Sequence, residues 1–172
     1  MNDKKSGFLT VIIFLFLSIP LPFGLSTPEN IWGINPGQNA GGALNKLGEP
    51  SETKYEDDYD VYIYRDRFGF DSVCVVKVGR DYTVSSITVK GEDPEVRTVK
   101  GIGLGDSSRK VKRLYGTPDE SGDTEINGEA AFYYLYELQN VAGNMRLVFI
   151  FNHVTKKVNM MVLEKVVRKS RI

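Results

Sequence analysis

One pattern occurs twice in this chain, and it constrains the fold more than any other feature. Gly33-Ile34-x-x-Gly37, then Gly48-x-Pro50-x-Glu52, returns without a gap 68 residues later as Gly101-Ile102-x-x-Gly105, then Gly116-x-Pro118-x-Glu120. Six of twenty aligned positions are identical, and four of the six are glycine or proline, residues placed by backbone geometry. The duplication therefore reports a shared local shape more than shared chemistry.

The shape is clearer in the second copy. Ser107 is placed to cap a helix, Val111, Leu114 and Tyr115 recur at helical spacing, and Gly116 with Pro118 stops it. In the first copy Asn39 takes the capping position, Ala43 and Leu47 supply the apolar face, and Gly48 with Pro50 ends the helix. Downstream the period becomes two, with Tyr62 and Tyr64 in one copy and Phe132, Tyr134 and Tyr136 in the other. Hairpins follow over 72–89 and 145–163. This predicts an α+β fold of two tandem repeats, each a helical layer packed on a roughly three-stranded antiparallel sheet. The boundaries are 27–97 for repeat 1, 98–164 for repeat 2, and 165–172 for a basic tail.

The segment before the repeats is of another kind. Lys4 and Lys5 precede the apolar run Phe8 to Ile19, then come Pro20, Pro22 and the small residues Gly24 and Ser26. A basic, then apolar, then small-residue order is that of a signal peptide, with a cut after Ser26. An uncleaved anchor over residues 8–25 is the alternative, since a span needs about 17 to 25 residues. Either reading places the remainder outside the cytoplasm, periplasmic or secreted.

Charge and cysteine content narrow the function classes. Lysine plus arginine number 22 and aspartate plus glutamate 22, so no strong field draws nucleic acid or an anionic membrane. Membrane contact is expected only through an uncleaved N-terminal segment. Cys74 is the single cysteine, so no internal disulfide forms, and its place between Val73 and Val75 reads as a buried strand position.

The string Gly105-x-Ser107-x-x-x-Val111-x-x-Leu114-Tyr115-Gly116-x-Pro118, with the tyrosine strand and hairpin after it, resembles a known superfamily. It is the one holding the β-lactamase inhibitory protein and the SmpA/OmlA-type (BamE-like) outer-membrane assembly lipoprotein. The resemblance covers about Ile31 to Glu164 and implies a concave, aromatic sheet surface that holds a protein partner, with no enzymatic activity. Two departures matter. The chain lacks the lipidated cysteine of the assembly lipoprotein and the disulfides of the inhibitory protein, so neither specific activity carries over.

Catalytic groups are scarce. His153 is the only histidine, in a predicted turn, and with Cys74 it cannot build a His/Cys metal cluster. The acidic stretch Glu56-Asp57-Asp58-Tyr59-Asp60 lacks the spacing of a calcium loop and reads as a solvated charge run. No cofactor or metal is expected. Aromatic residues are the better candidates: if the helices pack on the Ile63 and Leu135 side, Tyr62, Tyr64, Phe132, Tyr134 and Tyr136 form an outward binding face, with Tyr59 and Trp32 at its rim. The expected function is an exported, non-enzymatic protein-binding or scaffold module at the bacterial cell envelope or outside the cell. The alternative is a proteinaceous inhibitor of an extracytoplasmic enzyme.

Overall fold

Both helices begin and end at their caps. In α1 (Ala40–Leu47) the Asn39 side chain accepts from the Gly41 amide at 2.9 Å, and in α2 (Ser108–Tyr115) Ser107 accepts from the Lys110 amide at 3.3 Å. Gly48 and Gly116 close them at φ 70° and 87°, in the left-handed region that a side chain disfavours. The computed structural model describes residues 28–66, 72–140 and 143–166. The N-terminal segment 1–26 and the tail beyond 166 lie outside the described residues, as does any test of their expected roles. No helix among the described residues is long and apolar enough to cross a membrane.

The strands are β1 (Glu52–Tyr55), β2 (Tyr59–Arg65), β3 (Val73–Gly79), β4 (Val84–Lys90), β5 (Glu120–Ile126), β6 (Glu129–Asn140), β7 (Gly143–Asn152) and β8 (Val158–Lys165). They form one antiparallel sheet in the order β1-β2-β3-β4-β8-β7-β6-β5. This overturns the predicted pair of helix-on-sheet repeats, each with its own three strands. Two physical reasons account for it. The last strands of the two halves pair with each other, from Ser86↔Glu164 to Lys90↔Met160, and so remove the edges that separate sheets would leave exposed. The polar stretches after each helix also become strands, because β1 and β5 gain their order from pairing with β2 and β6 and not from an apolar alternation of their own.

The core lies on the side of the sheet that faces the helices. Val76, Val78, Ile87, Leu147, Phe149, Phe151, Met161 and Leu163 point there and are at most 1% exposed, against Ala40, Ala43, Leu47 and Val111 of the helices. Each such side chain contributes about 1.5–3 kcal/mol of burial. Leu114, read as part of the apolar helix face, is 37% exposed instead.

The loop before each helix is fastened to the final hairpin of its half by the same three backbone bonds. Gly37 donates to Val84 and Gly105 to Val158; Ala40 to Tyr82 and Ser108 to Lys156; Val84 to Gln38 and Val158 to Asp106. The six distances run from 2.7 to 3.0 Å.

Candidate interaction site

Cross-strand partners share a face of the sheet, and this decides where the predicted aromatic residues lie. Tyr62 pairs with Val76, Tyr64 with Cys74, Phe132 with Phe151, Tyr134 with Phe149 and Tyr136 with Leu147. All five therefore stand on the helix side, and the expected outward tyrosine face is corrected. Tyr64 and Tyr136 are each 3% exposed, while Tyr62, Tyr134, Phe132 and Trp32 are half-buried against the same core. Alternation sets which residues share a face, but the helices cover the tyrosine side, not the Ile63 and Leu135 side. The Tyr115 ring of α2 packs on Tyr136 and Phe149, with ring centres 5.3 and 5.2 Å apart. The Tyr136 hydroxyl donates to the Gly116 carbonyl at 3.2 Å, and burial pushes that phenol up to about 12. Tyr59 sits on the opposite face, with the Lys77 ammonium 5.8 Å from its ring centre. The seven residues are thus not brought to one surface.

The helix-free face is the surface that the aromatic reading missed. One row crosses six strands as Ile63, Val75, Thr88, Val162, Val148 and Leu135. At the usual strand spacing this band is about 24 Å long. The row beside it runs Val73, Lys90, Met160, Ile150 and Tyr133. Apart from the buried Ile63, these side chains are half-buried, and no helix covers them. On the other flank lie Lys77, Ser86, Glu164, Arg146 and Glu137, with Arg146 4.0 Å from Glu164. Such exposed pairs contribute at most about 1 kcal/mol, so they fix charge positions more than stability. Alternation along 145–151 and 158–163 was a signal for this face, but not for its lack of a covering helix.

A cleft of about 440 Å³ lies between the start of α2, the β5–β6 hairpin and the β7–β8 turn. Ser108, Phe132, Tyr134, His153, Lys156 and the β5 stretch 121–123 line it. Phe132 stacks on Phe151 at 4.7 Å and meets the His153 ring edge-on at 6.4 Å. The Lys156 ammonium lies 5.1 Å from the Phe132 ring centre and that of Lys112 lies 4.7 Å from Tyr134. Phe132 and Tyr134 were on the predicted list. Lys112 and Lys156 were not, because nothing local in the sequence brings a helix lysine and a turn lysine to one strand.

Several other ionisable groups are used within the fold. Arg80 donates to the Glu56 and Asp57 carbonyls and meets the Asp60 carboxylate at 3.1 Å, which pins the acidic turn. Tyr115 donates to Glu29 at 3.0 Å and lies 2.8 Å from the Thr98 hydroxyl. Burial raises the Glu29 carboxyl above its ordinary range, against the lowering effect of that phenol and the Val99 amide. Burial acts on Asp106 too, but Lys110 at 2.8 Å, the Gly103 amide and Arg97 together hold its carboxyl below the usual range. Cys74 is buried in β3. Among the described residues no group of three or more His, Cys, Asp and Glu is placed to hold a metal ion.

No family model matches the chain, and no curated protein matches it. A solved extracellular protein containing an SCP domain from Bacillus anthracis is similar over 96% of this chain at 14% identity and a TM-score of 0.54. The chain spans 50% of that protein's length, and at this identity the likeness concerns the fold alone. A DUF4309 family protein from Bacillus subtilis aligns with 75% of the chain and 79% of its own length at 14% identity and a TM-score of 0.48. A Streptococcus mutans protein proposed to be a beta-lactamase inhibitor aligns with 73% and 82% at 12% identity and a TM-score of 0.29. The last two scores are too low to establish a shared fold. One of these three proteins is a proposed inhibitor and none is of the SmpA/OmlA type, and at these scores neither fact assigns this chain to the expected superfamily.

Proposed function

We propose that this chain is an exported, non-enzymatic binding module that holds a protein partner on the helix-free face of its sheet, at the bacterial cell envelope or outside the cell. The observation that carries the reading is the row from Val75 to Leu135, apolar but for Thr88, across five adjoining strands, flanked by Lys77, Glu164, Arg146 and Glu137. Protein interfaces share this arrangement, with an uncharged centre and a polar rim. A face formed by paired strands also loses little conformational freedom on binding. The basic, apolar and small-residue order of residues 4–26 supports export.

A photo-crosslinking residue placed at Val148 in the producing cells tests this. Adducts with a discrete protein are expected from Val148 and not from Arg113, which is on the exposed side of α2. Val148→Lys is expected to abolish the adduct formed from a crosslinker at Val162 while leaving the unfolding transition in place. Equal labelling from Arg113 would sink the reading, as would turnover of a polymer substrate by the purified chain alone.

A further inference from the structure

The cleft beside α2 is lined by Lys156 and Asp123, and a second cation, Lys112, stands at its border with its ammonium 4.7 Å from the ring of the lining Tyr134. Lys112 and Ser108 stand one helical turn apart on α2 and so face the same way. Lys112 lies over Tyr134 and Lys156 over Phe132, which places two ammonium groups above two neighbouring rings of one strand. Among the described residues neither ammonium has a carboxylate within 4.0 Å, although seven ion pairs form elsewhere. The one carboxylate lining the cleft, Asp123, is on the β5 wall.

We infer that this cleft is a binding site for an organic anion carried on a ring-sized apolar body. The two ammonium groups supply the charge, and a cation already seated on a ring keeps its outward donors available to a ligand. Lysine attracts as a point charge without the planar fork of arginine, so the site selects for negative charge and not for one anion shape. The volume is in the range of small-molecule pockets, roughly 300–1,000 Å³, and so exceeds what a bare ion fills. Phe132, Tyr134 and the His153 ring supply an aromatic wall for the body of the ligand. Asp123 repels the anion from the β5 wall and so fixes which end points to the lysines. The ligand is a free aromatic acid or the apolar, carboxylate-bearing end of a peptide, with the same chemistry in either case.

Titration calorimetry on the full chain with sodium benzoate, benzylamine, inorganic phosphate and a short peptide ending in phenylalanine separates these cases. Benzoate is expected to bind and to weaken as salt rises, benzylamine and bare phosphate to bind far less. Affinity for the peptide relative to benzoate then identifies the source. The double variant Lys112→Gln/Lys156→Gln is expected to lose about tenfold or more in benzoate affinity, the scale of two lost charge-assisted contacts. The Lys112→Arg/Lys156→Arg variant is expected to retain it, which separates lost charge from lost folding. Val148→Lys, on the opposite face, is expected to leave benzoate binding unchanged whether or not the helix-free face binds a partner. Benzylamine binding as tightly as benzoate, undiminished binding by the Gln variant, or no benzoate binding would each overturn the assignment.

Discussion

The two halves of the sheet fasten their helices by the same three backbone bonds, yet their final hairpins end in opposite ways. In the first half the β3–β4 turn carries Arg80, which reaches the Glu56 and Asp57 carbonyls and the Asp60 carboxylate and so closes that corner. In the second half the β7–β8 turn carries His153 and Lys156, which stand over Phe132 and leave a corner open. Counting back from the matched tyrosines, Phe132 occupies the place that Asp60 holds in the first half. Tyr115, likewise, stands where the first half has the fully buried Leu47. The backbone is shared, and the candidate chemistry sits where the side chains differ.

The sharpest way to break this comparison is through the core. Phe149 of β7 occupies the place of Val76 in β3, and both are completely buried. Phe149→Ala is expected to cost about 3–5 kcal/mol, and Val76→Ala roughly 1.5–3 kcal/mol, read from urea midpoints at constant slope. Equal costs would mean that the halves do not pack as differently as their side chains indicate. The caps come next: Ser107→Ala and Asn39→Ala are each expected to cost about 1 kcal/mol, with matching loss of helical circular dichroism. A cap that costs nothing would show that its helix is held by tertiary contacts alone.

A smaller effect, seen as a slope with pH, belongs to the contact between the halves, where Glu29 of the first is held by Tyr115 of the second. The folded-state affinity of Glu29 for its proton is raised by burial. Its contribution to stability is therefore fully present below its unfolded value near 4.5 and is lost as pH rises through the higher folded value. Glu29→Gln is expected to flatten that decline when urea midpoints are compared at acidic and neutral pH. A slope unchanged by the substitution would remove Glu29 as its source. The smallest equilibrium change is expected for Arg80→Ala, under about 1 kcal/mol because its ion pair is exposed. Hydrogen exchange at the 56–60 turn is nevertheless expected to quicken, and an unaltered rate there would mean that Arg80 does not close the corner.

What could be read without coordinates divides along a physical line. Helix limits were legible because Asn39, Ser107, Gly48 and Gly116 act on their own backbone within a few residues. Hairpin strands were legible because Val76, Val78, Leu147 and Phe149 alternate. The strand β5, Glu120–Ile126, was not, since a run of charged and small residues becomes extended only against β6. Nor could parity alone place Tyr64 and Tyr136, because a strand tyrosine suits either face when its hydroxyl finds a partner. The cleft joins residues of α2, β5, β6 and a turn, so only Phe132 and Tyr134 had any local signal.

The pairing of β4 with β8 sets the order in which the molecule can assemble. Thr88 must wait for Val162, 74 residues further along, before the sheet is continuous. Such distant pairing is slow to form. During that interval each half exposes the edge meant for the other, and a second chain at high concentration offers the same edge. Rapid refolding of concentrated protein is therefore expected to yield dimers in which β4 of one chain has found β8 of another.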